Sequence, residues 1–303
     1  MSNSTTITTE ELYGFSPNHG AAVFFTIIFS CVTVSQFALL FIHAKKNKLA
    51  THLDYHLEKP ESLVLSNYLS LSLFYIPLVL GGVCEIIGFI TKCISAFSYS
   101  NLNSFIAQRV CILVAPNLFM TTMYLVFGRL VQLININDNL LFSEIVNRRL
   151  FVTGNLAGSI LQGVGGGISS NGTQSDYEKG KKLLLAGLFV QLGIFIIFVL
   201  REFFLFKIIK NGDNNIAYNT KKWRTLNLVL LASGILIMLR SIVRLVEVFE
   251  GSTSPILNHE WFGYVFDSLP MLVLMVLYAM TTPICSLYHI QAETVEFLQK
   301  DYV

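Results

Sequence analysis

Arg240, Arg244 and Glu247 follow an apolar stretch that carries no charge from Leu226 to Leu239. Their spacings of four and three residues place them within about 40° of one another on a helix, so they form one stripe. A guanidinium binds carboxylates through two parallel hydrogen bonds, whereas a carboxylate binds amines and other cations. Because charged side chains are destabilising in contact with lipid, this stripe must face the interior of a helix bundle.

Three more ionisable residues, Glu85, Arg109 and Asp267, lie inside other apolar segments. The helical rise of about 1.5 Å per residue puts each of the six residues within about 12 Å of the end of its segment that lies on one side of the membrane, the same side for all six. We predict that they pair in a polar, partly hydrated cavity, with Glu85 and Asp267 as the cross-helix partners of the two arginines of the stripe. Two interpretations stay open: a structural network that fixes helix register, or a cavity that binds a ligand headgroup.

The composition decides which classes of protein are possible. Of 303 residues, 53% are hydrophobic and 13% are charged, whereas a soluble domain has about 25% charged residues. This balance indicates an integral membrane protein. The net charge of +2 gives no basic field for nucleic acid, and the chain has no phosphate-binding loop for ATP and no nucleophile–base motif. The five cysteines show no metal-ligand spacing. We therefore predict no enzyme, no cofactor, no metal and no ATP site.

The elements that must position the charges are apolar segments long enough to cross a bilayer. They lie near 21–42, 65–91, 105–127, 150–168, 183–200, 225–248 and 261–284. The sequence thus predicts an all-α membrane protein, a single domain over 1–303 built as a seven-transmembrane-helix bundle, with a short cytoplasmic tail over 285–303.

Lysine and arginine in the connecting stretches predict the orientation of the bundle. The stretches 43–64, 128–149 and 201–224 hold thirteen of these residues, whereas the N-terminus and the other three loops hold four. Because cytoplasmic loops are enriched in Lys and Arg, the N-terminus is predicted outside and the C-terminus in the cytoplasm. The two Asn-X-Ser/Thr sequons, at Asn3 and Asn171, fall on the predicted outside and are candidate glycosylation sites.

The pair His259 and Glu260 begins the last segment at the same predicted depth as the charges. It resembles the start of the zinc motif H-E-x-x-H, but Gly263 stands where the second histidine would be needed, so zinc is excluded. Two interpretations remain for the pair: contact with a polar headgroup, or capping of the helix.

Glycines and prolines mark places where the backbone differs from a regular helix. The run Gly165, Gly166 and Gly167 predicts either close helix packing or a mobile backbone near a ligand. Pro116 and Pro270 lie inside predicted spans, where a proline removes one helical hydrogen bond and frees a backbone carbonyl.

Several short strings, in their order and spacing, resemble the fungal lipid-translocating exporter family of seven-span proteins, named for resistance to 7-aminocholesterol. The strings are Gly82 to Gly88, Ala115-Pro116 with Tyr124, Gly128 and Arg129, Gln162 with Gly165 to Gly167, Ala186 to Leu188 with Gln191, Arg240-Ser241 with Arg244 and Glu247, and His259-Glu260 with Phe266-Asp267 and Pro270-Met271. Asn155 departs from the pattern, since relatives commonly carry Asp there, and this weakens any path for a proton or cation through the fourth span.

The resemblance implies a membrane protein that handles amphipathic molecules. Its members are associated with export of sphingoid bases, resistance to sterol-like toxins and uptake of porphyrins. It implies a translocator whose partner is a membrane lipid or another amphipathic small molecule. The expected location is the plasma membrane, with the vacuolar or endoplasmic reticulum membrane as alternatives. A different class stays open: a seven-transmembrane receptor or lipid and stress sensor.

Overall fold

The computed structural model describes residues 18–53, 68–97, 102–134, 144–169, 174–210, 222–250 and 260–301. All of these residues belong to helices or to the short connections between them. The helices are α1 His19–Leu53, α2 Tyr68–Leu73, α3 Ile76–Phe97, α4 Leu102–Ile134, α5 Glu144–Ser169, α6 Gln174–Lys210, α7 Lys222–Glu250, α8 Glu260–Phe262, α9 Leu269–Cys285 and α10 Leu287–Asp301, with a π-helical segment, Gly263–Ser268, between α8 and α9.

Each predicted apolar segment is helical over its described residues, apart from a turn at 74–75, but most helices extend beyond the apolar residues. The helix α6, for example, runs from Gln174 to Lys210, whereas its apolar segment covers only 183–200. The longer helices contain three charged residues that lie outside the predicted apolar segments. Lys92, Arg129 and Glu202 lie within helices and are buried.

The helices form a closed bundle in which neighbours in the chain are mostly neighbours in space. Going round, α1 packs on α3, α3 on α4, α4 on α5, α5 on α6, α6 on α7, α7 on α9, and α9 again on α1. The helix α4 also packs against α7. Among the six described stretches that could cross a membrane it is the most buried, with 56% of its most apolar part buried, against 22% for α1. Large apolar side chains of α1 such as Phe24, Phe37 and Phe41 face outward, as expected of a surface that contacts lipid.

Six helical stretches among the described residues are long and apolar enough to cross a membrane, and the protein is therefore a multi-pass membrane protein. The helix α5 is not among them, although its 26 residues would reach about 39 Å. Its polar content explains this, because it carries charged residues at one end and buried Asn155 and Gln162 further along. The seventh crossing and the orientation of the termini remain predictions.

The helices α5 and α6 approach each other through glycines. A Cβ atom at Gly165 would lie 2.7 Å from the backbone N of Leu184, and one at Gly187 would lie 2.8 Å from the carbonyl oxygen of Gly158. Glycine is required at such positions because two backbones are in contact. Gly167, in contrast, has nothing within 4 Å of its Cβ position. Of the three predicted glycines, Gly165 is therefore the one held in the helix contact, while Gly166 and Gly167 have open space.

The helix α9 ends at Ser286, which has an extended backbone (φ −77°, ψ 166°). The helix α10 follows and buries Leu287, Ile290, Gln291 and Thr294, a spacing that forms one face of an amphipathic helix. This face packs mainly against α4. We name this end of the bundle the α10 end, and the opposite end, where α7 ends and α8 begins, the charged end.

Candidate functional site: a charged cavity between helices

The position of Asp267 follows from an irregularity in the last span, the stretch formed by α8, the π-helical segment and α9. Residues Gly263–Ser268 form a π-helix, and the N–H of Leu269 donates to the carbonyl of Tyr264, five residues earlier. Pro270 comes directly after this segment and cannot donate a backbone hydrogen bond. A π-helical turn widens the helix and changes the direction of its side chains, and such turns occur frequently at functional sites. Here it directs Asp267 towards α7.

Asp267 binds both arginines of the stripe on α7. Its Oδ2 accepts a hydrogen bond of 2.6 Å from a terminal nitrogen of Arg244, and its Oδ1 lies 2.6 Å from Nε of Arg240 as an ion pair. Arg244 also donates a 2.9 Å hydrogen bond to Glu247. One carboxylate thus bridges two guanidinium groups that would otherwise repel each other. The predicted cross-helix partnership between the arginines and Asp267 is present.

Arg240 is also held by a backbone carbonyl that a proline has freed. Its Nη2 donates a 2.7 Å hydrogen bond to the carbonyl oxygen of Ile112 on α4. In a regular helix that oxygen would accept a hydrogen bond from the N–H four residues later in the chain. The residue at that position is Pro116, which has no N–H. The proline therefore leaves the carbonyl oxygen of Ile112 without a helical donor, and the guanidinium of Arg240 donates to it instead.

Glu85 is the second acid near Arg240, but its contact is looser. The carboxylate is fully buried, and its nearest ion pair is 3.9 Å from Arg240. Neither of its oxygens has a hydrogen-bond partner in the described protein. Glu85 is not part of the cavity wall. It therefore offers no surface to a ligand in this cavity.

A second ion pair lies near the mouth. Lys92 Nζ is 3.0 Å from Glu260 Oε1 and 4.0 Å from the centre of the Tyr264 ring, close enough for a cation–π interaction. Tyr264 donates a 2.9 Å hydrogen bond to the same carboxylate, and its other oxygen accepts the backbone N–H of Asn18 at 2.7 Å. Glu260 therefore joins the beginning of α1 to the last span.

These groups surround a cavity of about 120 Å³ at the charged end. Its wall holds four basic side chains, Lys92, Arg109, Arg240 and Arg244, and three acidic ones, Glu247, Glu260 and Asp267. Burial decreases towards the mouth, since the side chain of Arg240 is 4% exposed and that of Arg244 is 23% exposed. Pockets for whole drug-sized ligands have about 300–1,000 Å³. This cavity can hold a headgroup, while the apolar part of a ligand would remain among helices or in lipid.

Aromatic rings form the apolar side of the cavity. Phe89 and Tyr264 line it, and both stack on Phe25, with ring centres 5.4 Å and 5.0 Å apart and planes within 14° and 8°. Phe262 and Phe266 line it as well and stack on each other at 5.7 Å. The cavity therefore combines cationic groups with flat apolar faces.

The structure brings together six of the eight residues predicted to bind a ligand, and their binding role stays a prediction. Arg109, Arg240, Arg244, Glu247, Glu260 and Asp267 lie together in the cavity wall. His259, Asn3 and Asn171 lie outside the described residues. Sequence reasoning missed Lys92, Gln108 and Tyr264. A charge count could have found Lys92, because Glu260 required a cationic partner at the same depth. In the described part of the chain, no three His, Cys, Asp or Glu residues are grouped as metal ligands.

The bundle and the cavity define a multi-pass membrane protein with a charged site between its helices. Residues 78–289 match the family described as "RTA1 like protein". The chain therefore belongs to the RTA1-like family. It is 33% identical to Protein RTA1 of Saccharomyces cerevisiae, over 95% of this chain and 90% of that protein. It is 33% identical to Protoporphyrin uptake protein 1 of the same species, over 91% and 93%.

A more distant relative is the Sphingoid long-chain base transporter RSB1 of Saccharomyces cerevisiae. It is 24% identical over 66% of this chain and 61% of that protein. No solved structure matches the chain.

Proposed function

We propose that this protein is a translocator of amphipathic molecules in the plasma membrane, with its N-terminus outside and its C-terminus in the cytoplasm. The observation that carries the proposal is the convergence of charged side chains from α3, α4, α7 and the last span on one small cavity. Relatives named for protoporphyrin uptake and for sphingoid-base transport support the same class. A headgroup would dock in the cavity, and the apolar part of the molecule would follow the aromatic wall and the lipid. We expect no enzymatic activity.

The charges favour an anionic headgroup over a cationic one. All three acids of the wall already bind basic side chains: Asp267 binds two arginines, Glu247 binds Arg244, and Glu260 binds Lys92. A cationic amine would have to displace a guanidinium or an ammonium group from one of them. A carboxylate instead meets four basic side chains against three acidic ones. Carboxylated flat molecules such as porphyrins fit this site better than sphingoid bases.

The experiment follows ligand movement in yeast cells that lack their own members of the family. Cells that express the wild type, Arg244→Gln, Glu247→Gln or the control Lys179→Gln are compared for accumulation of protoporphyrin and for release of a labelled sphingoid base. Lys179 is an exposed residue of α6 at the charged end, so its loss should change nothing. The amount of each variant at the cell surface is measured in parallel.

We expect Arg244→Gln to reduce porphyrin movement about tenfold to a hundredfold, because a hydrogen bond to a charged group contributes about 1.5–3 kcal/mol. Normal movement of every ligand by Arg244→Gln and Glu247→Gln, at normal surface amounts, would remove the cavity from the pathway. Binding without movement in the wild type would favour the alternative class, a receptor.

A further inference from the structure

A second buried carboxylate lies far from the charged cavity. Glu202 of α6 is fully buried, between Phe198 and Leu205 of the same helix, which are also fully buried. Neither oxygen of its carboxylate has a hydrogen-bond partner within the described residues. Among the same residues, no basic side chain forms an ion pair with it. The residue belongs to the half of the bundle that leads to the α10 end.

The packing of α6 on α7 shows what Glu202 faces. Near the charged end, Lys181 of α6 donates a 3.1 Å hydrogen bond to the carbonyl of Phe249 on α7. At mid-height, a Cβ atom at Gly234 of α7 would lie 3.9 Å from the ring of Phe195 on α6. The two helices are therefore antiparallel. Seven residues further towards the α10 end, about 10 Å along each helix, α6 reaches Glu202 and α7 reaches Asn227.

Asn227 has the same unusual state as Glu202. It is fully buried, and neither its amide nitrogen nor its amide oxygen has a hydrogen-bond partner in the described protein. Buried amides are almost always hydrogen-bonded, because an unpaired buried polar group destabilises the fold. The two residues at one level of adjacent helices therefore require a common explanation.

Two phenols complete this group. Tyr278 of α9 is buried and close enough to both Glu202 and Tyr75 to interact with them electrostatically. The rings of Tyr75 and Tyr278 are 6.3 Å apart in an edge-on arrangement, and neither hydroxyl has a hydrogen-bond partner within the described residues. We name Glu202, Asn227, Tyr278 and Tyr75 the Glu202 cluster. It brings four polar side chains from different parts of the bundle into its apolar core.

The chemistry of the Glu202 cluster selects a small monovalent ligand. An ionised, unpaired carboxylate in such a place is strongly destabilising, and one carboxylate neutralises one unit of positive charge. Hard metal cations collect about six oxygen ligands, more than the carboxylate, one amide oxygen and two phenols supply in a suitable shell. A proton needs one carboxylate oxygen only. The resulting carboxyl group is neutral and has one donor and one acceptor, the groups that the amide of Asn227 and the hydroxyl of Tyr278 could pair with after a small shift of side chains, because none of these atoms is hydrogen-bonded in this structure.

We propose that the Glu202 cluster is an intramembrane proton-binding site and that its protonation is coupled to ligand movement through the charged cavity; the coupling rests on the proposed function. The link is α7, which carries Asn227 near one end and Arg240 and Arg244 in the cavity near the other. Loss of the proton leaves an unbalanced charge between α6 and α7. This charge is stabilised only if the helices separate enough to admit water, which moves the end of α7 that holds the arginines.

Of the ionisable groups around Glu202, we expect only Glu202 itself to change its charge near physiological pH. The phenols of Tyr278 and Tyr75 are neutral at physiological pH. Arg201, next in the chain, lies over the ring of Phe151 on α5, 5.9 Å from its centre. Arg224 of α7 is exposed. On α4, Arg129 donates to Gln132 and Gln291, and the ring of Tyr124 contacts Phe198, one turn from Glu202.

The first test asks directly whether Glu202 holds a proton. The infrared band of a protonated carboxyl group is recorded on the purified full-length protein in lipid at neutral pH, for the wild type, Glu202→Gln and the control Glu178→Gln. Glu178 is an exposed acid on the same helix. We expect the band of Glu202→Gln, which has the shape of the protonated acid, to be weaker than that of the wild type by the intensity of one carboxyl group, and the band of Glu178→Gln to be unchanged. An unchanged band in Glu202→Gln, or a band that sodium or potassium abolishes, would overturn the proton assignment.

The second test addresses coupling. The same proteins are reconstituted in liposomes, and protoporphyrin movement is measured with and without an imposed pH gradient. We expect the wild type and Glu178→Gln to respond to the gradient, and Glu202→Gln to move the ligand at a rate that the gradient no longer changes. A retained response in Glu202→Gln contradicts the coupling. If the wild type moves no ligand under any gradient, the proposed function and the coupling fail together, whereas the infrared result still decides the proton site.

Discussion

Two helix pairs of this bundle are joined by buried polar groups of opposite kinds. Between α7 and the last span, Asp267 bridges Arg240 and Arg244 at 2.6 Å on each side. Between α5 and α6, the amide of Gln162 donates to the amide oxygen of Gln191, and no charge is involved. Both contacts satisfy buried polar groups, but only the first uses groups that a charged ligand could also bind.

The backbone is closely packed at the neutral contact and irregular at the charged one. The helices α5 and α6 touch through Gly158, Gly165 and Gly187, which fix their separation. The last span instead has a π-helical segment at Gly263–Ser268 beside the charges. Close glycine packing makes a rigid contact, whereas an irregular turn beside a cavity leaves room for rearrangement. We infer that α5 and α6 are the scaffold and that α7 with the last span is the working part.

The largest predicted effect comes from the bridging acid. Asp267→Asn keeps the volume of the side chain but leaves two guanidinium groups without their common carboxylate, and we expect the free energy of unfolding to fall by about 3–5 kcal/mol. Denaturant unfolding in detergent measures it. The exposed acid Glu178 provides the control, since Glu178→Gln should change stability by less than about 0.5 kcal/mol. Equal stability of Asp267→Asn and the control would contradict the bridge.

Glycine packing should give the next effect. In Gly165→Val the new side chain meets the backbone of α6, with the Cβ position only 2.7 Å from N of Leu184. Backbone atoms cannot rotate away as a side chain can, so we expect a loss of about 3 kcal/mol in unfolding free energy. Gly163→Val is the matched control on the same helix, because nothing lies within 4 Å of its Cβ position. Similar losses in both variants would mean that α5 and α6 are not in close contact.

The neutral amide pair allows a double-mutant test of the scaffold. Gln162→Leu or Gln191→Leu alone should lower stability by about 1–2 kcal/mol, since each leaves one buried amide unpaired. The double variant removes both polar groups and should recover most of this loss, with ligand movement unchanged. If the double variant keeps its stability but moves no ligand, the amide pair belongs to the working part and the division made above is wrong.

The sequence predicted the helical segments and the pairing of the stripe because both depend on short-range patterns. Arg240, Arg244 and Glu247 share a helix face by spacing alone, and a buried guanidinium needs an acid at the same depth, which Asp267 provides. The freed carbonyl of Ile112 could also be inferred, because it lies four residues before Pro116. These features need only the helical rise and the rules of hydrogen bonding.

What the sequence did not predict depends on where helices end and on tertiary packing. Lys92 and Glu202 were placed in loops because the apolar residues end before them, yet α3 and α6 continue past both. Hydropathy marks the apolar part of a helix and not its last hydrogen bond, so helix ends are poorly predicted. The π-helical segment has no sequence pattern of its own and forms where Tyr264 and Asp267 must both face the bundle.

Lys92 therefore gives the smallest but most direct test of the charged region. Lys92→Met keeps the apolar stem over Tyr264 and removes the ammonium group that lies 3.0 Å from Glu260. We expect a stability loss of about 1 kcal/mol, and weaker binding of a carboxylated ligand, measured by titration of the purified protein with protoporphyrin. Lys179→Met, at an exposed position of α6, should change neither quantity. Unchanged binding in Lys92→Met would restrict the ligand site to the arginines deeper in the cavity, whereas weaker binding would extend it to the mouth, where Glu260 also holds the beginning of α1.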